Sequence, residues 1–171
     1  GASSFNQDIN TWDVSSVTDM RFMFQNASAF NQPLNNWDTS GATDMDRTFF
    51  NATSFDQDIS AWDVGSVTDA VNMFNGATSF SVSNYDLLLE GWSAQTVTPN
   101  VILGVQSTQY SSGTPTTARG VLTSAPNNWV ITDGGIAAAP GYVFEDRSEL
   151  DTGVDLWVND KPTALTTFGE I

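Results

Sequence analysis

Cysteine and histidine are both absent from the 171 residues, and lysine occurs once, at Lys161. Without cysteine there is no disulfide framework and no thiol chemistry. Without either residue, most nucleophilic triads and zinc sites are excluded. Basic charge is scarce, with 5 Lys and Arg against 20 Asp and Glu and a formal net charge of −15. Phosphate recognition needs cations, so nucleic acid and anionic membrane surfaces are poor partners. No apolar run is long enough for a membrane span, and no signal peptide or lipobox is present, which leaves no direct membrane insertion to expect. Acidic charge is spread over both halves rather than gathered in a tail. It suits a basic partner, and it also admits weak Ca²⁺ binding.

What the chain does have is a strict 25-residue period. Phe5, Phe30, Phe55 and Phe80 open successive units. Trp12, Trp37 and Trp62 recur at the same spacing, followed each time by Asp13, Asp38 or Asp63. Phe24, Phe49 and Phe74 complete the aromatic set. Such self-similarity marks small units that bury their apolar faces against one another. Within one unit, Ile9, Trp12 and Val14 with Asp13 between them read as a short strand. Val17, Met20, Met23, Phe24 and Ala27 have helical spacing, with Ser16 as N-cap. Asn26, Asn51 and Gly76 share an aligned position suited to positive φ. The expected fold class is therefore an α/β solenoid, a right-handed coil of short parallel strands and short helices. Its expected core comprises Phe5, Trp12, Phe24, Phe30, Trp37, Phe49, Phe55, Trp62, Phe74 and Phe80.

Beyond Phe80 the pattern breaks. Ser83–Trp92 has an apolar face of Tyr85, Leu88, Leu89 and Trp92, as an amphipathic helix does. Val101–Val105 and Trp129–Ile131 read as strands, and Pro115 opens a second helix. These atypical elements suit an α/β C-terminal cap. The domain scheme is a repeat solenoid over 1–95, its cap over 96–136, a linker over 137–143 and a helical segment over 144–171.

The strings FNQDINTWDVSSVTDMRFMFQNAS and FDQDISAWDVGSVTDAVNMFNGATSF resemble the BspA-like bacterial surface-protein repeat, also described as DUF285. The W-D-V-S-x-V-T-x-M pattern carries the resemblance, through Trp12, Asp13, Val14, Ser15, Val17, Thr18, Asp19 and Met20 in the first copy. Thr39 and Ala42 depart from it in the second. The resemblance implies a leucine-rich-repeat-like scaffold, an extracellular or bacterial cell-surface location, and adhesion or protein–protein contact. It brings no catalytic residues. By the same resemblance, 144–171 looks like the N-terminal cap of a following repeat domain. Gly1–Phe5 aligns with Gly76–Phe80, as if the chain began inside a preceding coil, so an apolar end could support end-to-end self-association.

The expectation is thus a non-enzymatic module for adhesion or protein binding, with a structural spacer as the alternative and a carbohydrate-binding module behind both. The candidate ligand-binding residues flank the tryptophans on the outward face: Thr11 and Asp13, Asn36 and Asp38, Ala61 and Asp63. The aspartates have three readings: turn hydrogen bonds, plain solvation or a bridging cation. No cofactor is expected.

Overall fold

The computed structural model describes residues 2–138. The expected segment 144–171 and residues 139–143 of the expected linker lie outside the described residues. All of the described residues but Ala138 belong to the unit Gly1–Ala137, one of two into which the chain divides.

The three repeats stack, but the fold class read from the sequence is corrected. Among the described residues there are only two helices, α1 (Val82–Ser93) and α2 (Thr114–Thr123), and two strands, β1 (Ile102–Gly104) and β2 (Val130–Thr132). None lies within Phe5–Ser79. The repeats are built from turns and joined by isolated parallel bridges, Asp19 to Asp44 and Asp44 to Asp69. This is not a repeating α/β solenoid or a leucine-rich-repeat arc.

Backbone donors explain the difference. In the segment expected to be helical, alternate amides close three-residue turns: Met23 to Met20 O (3.3 Å), Gln25 to Phe22 O (3.0 Å) and Ala27 to Phe24 O (3.0 Å). The intervening amides leave for the next repeat: Met20 to Asp44 O (2.9 Å), Phe24 to Thr48 O (2.8 Å) and Asn26 to Phe50 O (2.8 Å). A helix needs both sets for itself. Two left-handed residues per repeat enforce the pattern, Phe22, Arg47 and Asn72 at φ 54–60° and Asn26, Asn51 and Gly76 at φ 56–82°. The second column was legible in its Asn and Gly; the first, where Phe22 and Arg47 align with Asn72, was not.

The expected strand fails for a related reason. Asp8 Oδ1 accepts from the Asn10 amide (2.9 Å), and Asp13 Oδ1 from Ser15 (3.0 Å). Trp12 N–H closes a turn onto Ile9 O (3.0 Å). Amides engaged locally cannot form a ladder.

Side chains then stack in columns. Phe24–Phe49 and Phe49–Phe74 ring centroids lie 5.3 and 5.4 Å apart, nearly parallel. Phe5, Phe30, Phe55 and Phe80 form a second column at 5.7–6.3 Å. Trp37 stacks on Trp62 at 6.1 Å. Each buried indole also donates to a carbonyl of the preceding layer, Trp37 Nε1 to Ile9 O and Trp62 Nε1 to Leu34 O, both at 3.0 Å. Trp92 Nε1 continues the scheme to Ile59 O at 3.3 Å, although it sits on a helix.

The non-repetitive part takes over the stack. β1 lies against the third repeat, with Ala70 N–H on Ile102 O (3.2 Å) and Phe74 N–H on Gly104 O (2.9 Å). β2 pairs with β1 in parallel, Leu103 opposite Ile131. The Ser81 hydroxyl caps α1 by accepting from the Asn84 amide. Its buried face is Tyr85, Leu88, Leu89 and Trp92, as the sequence spacing anticipates. Gly91 lets α1 approach closely, because a Cβ there would overlap the Ser60 carbonyl.

Candidate interaction surface

Trp12 is the exception among the expected core residues. It is 60% exposed, against 4% for Trp37 and 0% for Trp62. Among the described residues no layer covers its outer side, so its indole has neither the carbonyl that Trp37 and Trp62 use nor a ring stacked on it. Phe5 is only partly buried for the same reason, whereas Phe24, Phe30, Phe49, Phe55, Phe74 and Phe80 are all buried.

The six outward candidates are all exposed. Thr11, Asn36 and Ala61 offer a hydroxyl, an amide and a methyl, which do not make a common ligand column. The aspartates do. Asp13 Oδ1 accepts from both the amide (3.0 Å) and the hydroxyl (2.6 Å) of Ser15. Asp38 holds Ser40 in the same way, at 3.1 and 2.6 Å. Asp63 accepts only the Gly65 amide, at 2.8 Å, since glycine has no hydroxyl. The serine hydroxyl and amide hold the carboxyls of Asp13 and Asp38 below the usual carboxylate range, while Asp13 pushes Asp38 back upward through space. In each of the three, Oδ2 accepts no hydrogen bond among the described residues. The turn-bracing reading is therefore realised at Oδ1, with one oriented oxygen per layer left over.

A second acidic column, Asp19, Asp44 and Asp69, lies elsewhere on each repeat. Arg21 grips Asp19 (Nη2 to Oδ2, 2.7 Å) and reaches Asp44 at 3.5 Å. Hydrogen bonds from Arg21 lower the Asp19 carboxyl to about 2. Arg47 pairs with Asp46 at 2.9 Å, yet burial outweighs that charge and raises the Asp46 carboxyl.

Sequence reasoning missed a cluster in the cap. Asp133 accepts from Tyr85 Oη (2.7 Å) and Arg119 Nε (2.7 Å), and its side chain is only 4% exposed. The Arg119 guanidinium also lies over the Tyr110 ring, 5.4 Å from its centroid. Burial, then the Asp133 charge and hydrogen bond, push the Tyr85 phenol well above its ordinary range. Burial pulls Arg119 down, but the hydrogen bond and charge of Asp133 carry it upward. Every group here is satisfied by another, so the cluster fastens α1 and α2 to the chain after β2. Nothing in the spacing of residues 85, 119 and 133 announced it.

All three arginines among the described residues, Arg21, Arg47 and Arg119, are thus ion-paired. Among the described residues no further basic side chain neutralises the remaining acidic surface. No group of three or more acidic residues among the described residues is disposed to hold a metal ion.

Stacked, turn-built repeats closed by a helix-and-strand cap define the class of protein. Residues 1–100 match the family described as Mycoplasma protein of unknown function, DUF285, and the chain belongs to that family. No curated protein and no solved structure matches it.

Proposed function

We propose that the chain is a non-catalytic binding module of a bacterial surface or secreted protein, recognising a basic protein partner through the Asp13–Asp38–Asp63 column. The observation that carries this reading is the double grip of Ser15 and Ser40 on Oδ1 of Asp13 and Asp38. It fixes each carboxylate while leaving Oδ2 outward, so little side-chain entropy is lost when a cation binds. The paired arginines support the sign of the partner, because they leave this column unneutralised. The family match supports a bacterial setting, and the surface location rests on the resemblance of the repeat to surface proteins.

Asp38→Asn with Asp63→Asn is the deciding variant. Asparagine keeps an oxygen for the Ser40 and Gly65 amides but removes the charge. A lysine-rich peptide, titrated calorimetrically at low and physiological salt, should lose about tenfold in affinity, about 1.4 kcal/mol. The melting midpoint should stay nearly unchanged. Equal binding by both proteins would reject the column as the recognition surface, and absence of binding by the parent would favour the spacer role.

A further inference from the structure

The Asp13–Asp38–Asp63 column does not end as it begins. Beside Asp63 the surface dips into an open polar hollow of about 610 Å³, lined by Ala61, Asp63, Gly65, Ser66, Gln95 and Thr96. Gln95 and Thr96 belong to the chain leaving α1. Gln95 Oε1 accepts from the Val64 amide and its Nε2 donates to Trp62 O, both at 2.9 Å, so this chain is fastened to the residues on either side of Asp63. Gly65 stands where the earlier layers have Ser15 and Ser40. Its φ is not positive, so backbone conformation alone does not demand glycine. Its neighbours do: a Cβ at position 65 would lie 3.1 Å from both Asp63 Oδ1 and Thr96 O. The two oxygens therefore face one small space, and it is rich in free acceptors. Asp63 Oδ1 accepts one hydrogen bond, from the Gly65 amide, whereas Oδ1 of Asp13 and of Asp38 each accepts two. Asp63 Oδ2 and Thr96 O accept none among the described residues.

Resting on the reading of this column as a surface for a basic partner, we propose that the hollow is an arginine subsite: a guanidinium of the partner protein forks across both oxygens of Asp63 and gives a further N–H to Thr96 O. The fork needs a free lone pair on each carboxylate oxygen. At Asp13 and Asp38 the serine amide and hydroxyl together occupy Oδ1, which leaves single-point contact at Oδ2. An ammonium satisfies that contact as well as a guanidinium does. At Asp63 the missing serine hydroxyl frees the second lone pair of Oδ1, so both oxygens can receive the fork. Thr96 O then takes a donor that the fork leaves over, since a guanidinium carries five N–H groups in one plane. The departure of Gly65 from the repeat thus does two things. It admits the chain leaving α1, and it turns the last carboxylate of the column into the one that distinguishes arginine from lysine.

The test titrates hexaarginine and hexalysine into the full chain by calorimetry at physiological salt. The parent should bind hexaarginine about tenfold more tightly than hexalysine, the scale of one added charge-assisted contact. Gly65→Ser places a hydroxyl beside Asp63 Oδ1, as in the earlier layers, and should bring the two affinities to within about twofold of each other. Serine also crowds Thr96 O, so Asp63→Asn provides a second variant that needs no extra room. It removes one acceptor of the fork and should likewise abolish the preference. In the parent, hexaarginine should shift the Gly65 amide resonance more than hexalysine does. Equal affinity of the parent for both peptides, or a preference for arginine that survives both variants, would overturn the subsite while leaving the acidic column as the binding surface. Absence of binding by either peptide rejects the column itself, and the subsite with it.

Discussion

Trp12, Trp37 and Trp62 are chemically identical and aligned, yet their environments differ because stacking is a property of neighbours. Trp37 has a layer on either side, its ring on Trp62 and its indole N–H on Ile9 O. Trp37→Ala should cost about 3–5 kcal/mol in thermal or denaturant unfolding, within the usual range for a buried aromatic. Trp12→Ala, on an exposed ring, should cost well under half of that, and equal losses would mean that the first layer is covered in solution. Asp19 offers a second check at this scale. The Arg21 hydrogen bonds lower its carboxyl to about 2, so whatever stability the pair adds is present above the usual carboxylate range and is lost as pH falls through that value. An NMR titration should place Asp19 near there. Arg21→Gln should move its midpoint up toward ordinary aspartate, and an unmoved midpoint would assign the shift to the backbone amide alone.

Among the elements, the cap depends on the Tyr85–Asp133–Arg119 cluster, which ties α1 and α2 to the residue just after β2. Asp133→Ala leaves a partly buried guanidinium and a buried phenol without their shared acceptor, and removal of one partner of a buried pair costs about 3–5 kcal/mol. Arg119 keeps some exposure, so the lower end is expected, read as a drop in the unfolding midpoint. Alkali tests the phenol separately. Tyr85 is raised in the folded state, so the stability it supports is complete below the unfolded value of about 10 and is lost as pH rises beyond it. Tyr85→Phe should flatten the decline in melting temperature between about pH 10 and 11. If the two curves stay parallel, that decline has another origin.

Over the whole molecule, charge is the dominant long-range term. A net charge of −15 repels itself in the compact state, and salt screens that repulsion. Sodium chloride from low to physiological strength should therefore raise the melting midpoint. Calcium chloride at matched ionic strength should do no more than that, because no group of acidic residues suited to a metal occurs among the described residues. A stoichiometric calcium isotherm with an additional rise in midpoint would give the acidic columns a ligand role.

How far the chain could be read ahead of its structure depends on what each signal measures. The 25-residue period shows that identical residues stack, and it identifies Phe24, Phe49 and Phe74 as one column before any coordinates exist. The spacing of Tyr85, Leu88, Leu89 and Trp92 gives α1 its buried face, since a helix satisfies its own backbone and needs only an apolar stripe. Asn and Gly at positions 26, 51 and 76 announce left-handed turns by their small steric cost. Apolar spacing is silent on where amides send their hydrogen bonds. The run from Val17 to Ala27 has helical gaps, yet every second amide goes to the next repeat, a choice available only when that repeat is in place. The bracing of Asp13 by Ser15 was one of several local outcomes until the turn closed. The junction of Tyr85, Arg119 and Asp133 joins residues far apart in the chain and follows no period at all. The sequence by itself determined the repeat, its columns and its charge, all of which are carried by residue type and spacing. Tertiary structure alone decided turn over helix and strand, the exposure of Trp12 and the buried ion pair of the cap, because each depends on which backbone or side-chain partner lies across a layer boundary.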